Sequence, residues 1–212
     1  TDLWLGEGVA LGRVSLGTLN PEPQPIFSGD GSLCIVMEGE IYDSEGLKKD
    51  LLSKRHSFAL NNDPELLLHA YAEYGESFVR RLNGRFVLAI WDMKRKRLII
   101  ANDRYGLRCL YYAHDKGRLL FGPEVKAILA DGSLKRVVDP VAVSEFFTLR
   151  YIQDDKTLLS GIHLLPAASV LTYENGRLSI KSYWDWNFVE DYKDRSEDDY
   201  VEELRHLIRQ SV

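Results

Sequence analysis

The chain is written in short apolar runs broken by turn residues, and this spacing constrains its fold more than any other feature. In order the runs are GVALGRVSL, LCIVME, RFVLAIWD, RLIIAND, RCLYYA, RLLFG, ASVLTY and RLSIKSY. Runs of this length, rich in β-branched and aromatic residues and bounded by polar residues, read as β-strands. MKRK, HDKG and ENG separate consecutive runs by loops short enough for antiparallel hairpins. LCIVM and RLIIA are almost continuously apolar, the pattern of a strand covered on both faces, because an exposed face would impose alternation. With 45% hydrophobic residues in 212, the chain has enough apolar surface to fill the core such packed sheets need.

Helical patterns interrupt the strands. In NNDPELLLHAYAEYGESFVRRL, Asp63, Pro64 and Glu65 read as N-cap, first-turn proline and first-turn acid, and Leu67, Tyr71 and Tyr74 continue an apolar stripe. DPVAVSEFFTL repeats the Asp-Pro opening at Asp139 and Pro140. SEGLKKDLLSK places Leu47 and Leu51 on one face, and PEVKAILA does so with Val125, Ile128 and Leu129. All four are expected to pack on sheets. After YWDWNF the composition turns acidic and polar. Residues 1–188 are therefore expected to form one domain, 189–195 a linker, and 196–212 the first helix of a second domain, capped by Ser196 and apolar at Val201, Leu204, Leu207 and Ile208.

Several chemistries are disfavoured. A net charge of -5 with 28% charged residues of mixed sign offers no positive field for nucleic acid or anionic lipid. No apolar stretch approaches the roughly 20 residues of a membrane span, and TDLWLGEGVALG lacks a basic signal-peptide opening, so the chain reads as cytosolic. The histidines are scattered with no HExxH, which argues against a metal site, and no Walker loop, G-x-G-x-x-G or G-x-S-x-G occurs. Cys34 and Cys109 lie in apolar runs and read as buried structural thiols.

What carries chemistry is an ordered set of motifs: VALGRVSL, PQPIFSGDGSLCIVMEGEIYD, NNDPELLLHAY, LNGRFVLAIWD, NDRYGLRCLYY, FGPEVKAIL, YIQDDKTLLSGIHLLPA and SYWDW. In that order and spacing they resemble the N-terminal glutaminase domain of glutamine-hydrolysing asparagine synthetases, a branch of the class II (Ntn-type) glutamine amidotransferases. The resemblance implies an α+β fold: an αββα sandwich of two mainly antiparallel sheets between helical layers. It assigns Arg13 to the α-carboxylate of a glutamine substrate, since a guanidinium fork matches a carboxylate bidentately. It assigns Glu40 and Asp63 to the α-ammonium, and the Gly39 amide to the oxyanion formed when the carboxamide is attacked. Outside this context Arg13 is a strand-end surface charge and Glu40 an outward-facing strand carboxylate, while Asp63 already has a cap's work to do. Asp103 and Arg104 of NDRYG match a family turn and imply a structural pairing.

Two departures qualify the carry-over. The family's nucleophile is an N-terminal cysteine on a strand several tens of residues upstream of Thr1, so the catalytic residue and the first strand of the fold are expected outside this chain. TDLWL reads as the approach to a core strand, which argues against Thr1 serving as an N-terminal nucleophile. The family's Asn-Gly-Glu-Ile-Tyr-Asn is here Glu38-Gly39-Glu40-Ile41-Tyr42-Asp43. A glutamate cannot donate to an oxyanion as the asparagine amide does, and one such donor is worth about 2.7–4 kcal/mol. Glu38 thus predicts a protein that uses ammonia better than glutamine, with Glu38→Asn raising glutamine turnover. Cys109 stands where the family has proline.

The resemblance implies a parent that hydrolyses glutamine here and passes ammonia to an ATP-dependent amidation of aspartate, or a related carboxylate, in a following synthetase domain. That domain, not this one, is expected to use ATP and Mg, and a homodimer is compatible with the reading. This chain alone is expected to be inactive. The other reading from the same residues, motivated by Glu38, is a degenerate glutaminase-like module that serves a structural or regulatory role beside an ammonia-using synthetase.

Overall fold

The computed structural model describes residues 2–188 and 195–211. Its strands are Asp2–Gly6 (β1), Val9–Arg13 (β2), Ile26–Phe27 (β3), Leu33–Tyr42 (β4), Asn83–Asp92 (β5), Arg97–Asn102 (β6), Tyr111–Asp115 (β7), Arg118–Gly122 (β8), His163–Leu164 (β9), Ser169–Glu174 (β10) and Arg177–Ser182 (β11). The helices are Glu45–Ser53 (α1), Asp63–Tyr74 (α2), Val125–Leu129 (α3), Pro140–Leu149 (α4) and Glu197–Ser211 (α5), with a 3-10 segment at Gly75–Arg81 after α2. All three expected hairpins form, joining β5 to β6, β7 to β8 and β10 to β11.

The principal sheet has six strands in the order β11-β10-β6-β5-β4-β3, antiparallel at every pair. Its two faces divide by period two. Ile35 and Met37 of β4, with Phe86, Leu88 and Ile90 of β5, face α1, α2 and the 3-10 segment. Cys34 and Val36, with Ala89, Ile100 and Leu171, face Leu11 of β2 and Tyr112 of β7. This double coverage is why LCIVM carries no polar alternation. The second layer is split into β1-β2 and a three-stranded sheet β8-β7-β9. On its outer side Ala113 of β7 meets Ile128 of α3, which completes the αββα arrangement.

The two pieces of the second layer do not close over the principal sheet. Between them lies a groove of about 760 Å³, floored by Val36, Ala89 and Ile100 and bounded by Arg13 of β2 and Phe121 of β8. Among the described residues β8 ends its sheet and β2 pairs only with β1, so each presents an unpaired edge there.

Three expectations need correction. Helix α4 forms under its Asp139 cap, whose carboxylate accepts from the Val141 and Ala142 amides, but it buries only Ala142 and does not pack as a sheet-covering helix. Its apolar residues surround the helix axis instead of forming one stripe, and Phe146 and Phe147 stay exposed. The strand expected from RCLYYA begins at Tyr111, which leaves Cys109 exposed in the preceding loop rather than buried. Asp63 is not the cap of α2: the cap is Asn62, whose side chain accepts the Glu65 N–H at 3.0 Å. Of the expected linker, residues 189–194 lie outside the described residues, as does Thr1. Helix α5 opens as predicted, with Ser196 Oγ accepting the Asp199 N–H and the Asp199 carboxylate accepting the Ser196 N–H.

Candidate active site

The site is built on the free edge of β4. On one side β5 pairs with β4 along its whole length, from Leu33↔Asp92 to Tyr42↔Asn83. On the other side β3 reaches only Cys34 and Ile35. Beyond that point the outward backbone groups of β4 must find side chains, since an unmet buried amide is costly. Met37 N–H donates to Gln24 Oε1 at 2.7 Å, and Ile41 N–H donates to Asp63 Oδ2 at 3.1 Å. Between them the Gly39 C=O accepts from Asn20 Nδ2 at 3.0 Å.

Gly39 cannot turn its amide to β5. Its opposite residue, Phe86, donates its N–H to the Asp103 carboxylate and accepts the Asp103 N–H at its carbonyl. The Gly39 N–H therefore points with those of Met37 and Ile41 to the open edge, where no side chain or loop carbonyl among the described residues accepts it. Only glycine fits here. At φ 112° a Cβ would lie 1.9 Å from the Arg85 carbonyl oxygen.

Arg13, 7% exposed at the end of β2, donates to the carbonyls of Leu19 at 2.8 Å and Asn20 at 2.7 Å. Its fork thus shapes the loop that follows β2. That loop carries Asn20, whose amide also reaches Asp63 Oδ2 at 3.3 Å and whose Oδ1 accepts the Asp63 N–H at 3.3 Å. Arg13, Gly39 and Asp63 are brought together through Asn20. Glu40 stands between Gly39 and Ile41 on the same stretch of β4, half-buried, and accepts from Tyr42 Oη at 3.3 Å.

The segment leading into Asp63 is held by Glu65. This carboxylate, 8% exposed, accepts the N–H groups of Ala59 at 2.6 Å, Leu60 at 2.9 Å and Asn61 at 2.7 Å. Asp103, fully buried, does similar work, accepting from Phe86, Tyr105 and Leu107. The structural pairing expected with Arg104 does not form among the described residues: Asp103 is taken up by these backbone amides, and the Arg104 guanidinium lies 5.9 Å from the Trp184 ring centroid.

Glu38 faces the groove, as alternation from Cys34 and Val36 requires. Its Oε2 is 3.6 Å from Arg13 Nε and its Oε1 is 3.6 Å from Arg108 Nη2. These are ion pairs too long to be hydrogen bonds. Glu38 Oε2, Arg13 Nε and Arg108 Nε are buried with no hydrogen-bond partner among the described residues. The sequence reading missed Asn20, Gln24 and Arg108. Asn20 carried a faint signal in NPEPQP, because asparagine tolerates the left-handed backbone it adopts at φ 45°; Arg108 carried none. Cys34 is inert in its apolar surroundings, burial pushing its thiol up to about 11. No group of three His, Cys, Asp or Glu among the described residues is placed to hold a metal ion.

The chain is 35% identical to asparagine synthetase [glutamine-hydrolyzing] 3 of Bacillus subtilis (strain 168), over all of this chain and 35% of that protein. It is 31% identical to amidase chyE of Penicillium rubens, over 96% of this chain and 30% of that protein. The chain thus spans about a third of the length of these curated relatives. Glutamine phosphoribosylpyrophosphate (PRPP) amidotransferase from B. subtilis shares the fold, with a TM-score of 0.57 at 17% identity over 82% of this chain and 35% of that one. Residues 1–184 match the glutamine amidotransferase domain, and with the open β4 edge and the αββα layers they establish that the chain belongs to that family.

Proposed function

We propose that this domain binds glutamine along the β4 edge and releases its amide nitrogen as ammonia for an ATP-dependent amidation of aspartate, or a related carboxylate, by a synthetase domain in the same protein. ATP and Mg would act in that domain and glutamine in this one. The observation that carries the reading is the Gly39 amide: between Met37 and Ile41 it is the outward N–H left without an acceptor among the described residues, on a stretch flanked by Glu40 and Asp63. A fixed backbone donor of this kind stabilises an oxyanion without reorganisation. Asp63 and Glu40 offer two carboxylates for an α-ammonium, and the Arg13 guanidinium lies behind the same loop.

The nucleophile belongs, on this reading, to a cysteine-bearing strand upstream of Thr1. The groove between β2 and β8 suits it, with an apolar floor and two unpaired strand edges. The domain division at 189–195 is part of the same proposal.

The test is nitrogen transfer by the full-length protein. With ¹⁵N-amide glutamine, labelled product and glutamate should appear in equal amounts. Product formed from ammonia but not from glutamine would sink the glutaminase reading and leave the non-catalytic module in its place.

A further inference from the structure

We propose that Arg108 is a catalytic donor that takes over the work of the asparagine amide absent at position 38, and that Glu38 is its tether. The inference rests on the glutaminase reading above and deepens it. Alternation along β4 puts Glu38 on the groove face, next to Gly39 with its unmet amide. A bare carboxylate there would repel a developing oxyanion. The structure does not leave it bare: Arg13 Nε and Arg108 Nη2 each lie 3.6 Å from one of its oxygens. The three groups together carry one net positive charge, which offsets the repulsion that a lone Glu38 carboxylate would exert on an oxyanion.

The two arginines are not equivalent. Arg13 gives both terminal nitrogens to the carbonyls of Leu19 and Asn20 and has only Nε turned to Glu38. Arg108 makes no hydrogen bond among the described residues, its Nε is buried and unpartnered, and its side chain lines the groove. Its donors are therefore available. When the cysteine sulfur, its proton already lost so that it attacks as a thiolate, forms its bond to the carboxamide carbon, the π pair of the C=O moves onto oxygen. Arg108 would donate a hydrogen bond to that oxygen alongside the Gly39 N–H and lose no proton, since guanidinium stays charged. The Glu38 carboxylate holds the guanidinium in the groove without occupying all of its five donors.

The pair gives a test that a merely structural arginine would fail. In the full-length protein Arg108→Ala should lower the kcat for glutamine about a hundredfold, the usual effect of removing one oxyanion donor, with a much smaller change in KM. Glu38→Asn supplies an amide donor, so the double variant E38N/R108A should recover at least tenfold over R108A. R108K, keeping charge but not the fork, should fall between wild type and R108A. Thermal melts of each variant separate loss of chemistry from loss of fold; should R108A not fold, R108K and E38N/R108K carry the same comparison. Wild-type turnover with R108A within threefold of it would overturn the inference, as would R108A losses that E38N fails to recover. A wild-type protein that does not hydrolyse glutamine at all would overturn the glutaminase reading and this inference with it.

Discussion

Replacing Gly39 by alanine adds one methyl group against β5 at the open edge of β4, and the structure fixes what it meets. The new Cβ would lie 1.9 Å from the Arg85 carbonyl oxygen and 2.9 Å from the Phe86 Cα, although Cβ contacts under 3.0 Å essentially never occur. Both obstacles are backbone, so no rotamer change relieves them, and β4 and β5 must part by about 1 Å in a core that is packed like a crystal. Parting threatens the flanking pairs Glu38↔Val87 and Glu40↔Arg85, each ladder bond worth about 1 kcal/mol net. Overpacking adds about 1–3 kcal/mol, and an L-residue held at φ 112° adds about 1–3 kcal/mol more. With one bond lost from each pair the sum is about 4–8 kcal/mol, a large share of the 5–15 kcal/mol by which domains are stable.

Gly46 provides the control. It lies inside α1 with nothing within 4 Å of its would-be Cβ. There the same substitution should stabilise by about 0.5–1 kcal/mol, through helix propensity and a less flexible unfolded chain. Urea unfolding followed by tryptophan fluorescence measures both. A Gly39→Ala loss below about 1 kcal/mol would show that the β4–β5 contact relaxes cheaply, and the argument for glycine there would fail.

Other outcomes follow from the same contacts. Glu65→Ala removes the acceptor of three amides; charge-assisted bonds are worth about 1.5–3 kcal/mol each, but this loop is solvent-exposed and water replaces part of them, so a loss of about 2–4 kcal/mol is expected in urea titration, with Glu65→Gln about half as costly. Arg13→Ala releases the Leu19 and Asn20 carbonyls and should raise the glutamine KM at least about tenfold while ammonia-driven synthesis falls far less; equal losses with both nitrogen donors would make Arg13 purely structural. His69 Nδ1 lies 3.0 Å from His56 Nδ1, beside Glu65 and near the His56–Glu73–Lys54 cluster, and burial followed by the His56 charge lowers its pKa from 6.5. The native state then binds less proton than the unfolded chain, so stability should fall as pH drops through and below about 6.5, and His69→Gln should flatten that slope. An unchanged slope in pH-dependent urea midpoints would place the titration elsewhere.

The sequence by itself determined most of the long strands and helices and the pairing of three hairpins. Hairpin loops such as MKRK join neighbours in the chain, where closure costs little and register follows from the loop, and helix starts are written locally in Asp-Pro. It also fixed that the principal sheet is covered twice, since LCIVM admits no solvent face, and its ordered motifs marked Arg13, Gly39, Glu40 and Asp63 as one group. It pointed to Asp63 as the cap of α2, but Asn62 takes that place and accepts the Glu65 N–H, while Asp63 accepts the Ile41 N–H from across the fold. Nor could it show that the Gly39 amide finds no acceptor among the described residues, which depends on Phe86 being held by Asp103 from a third strand's end. Most of all, Glu38 read alone is a repulsive charge, while Arg13 and Arg108, distant in sequence, turn it into the centre of an ion trio. Coulomb energy depends on distance in space and on the groups that exclude water, and neither is a property of local sequence.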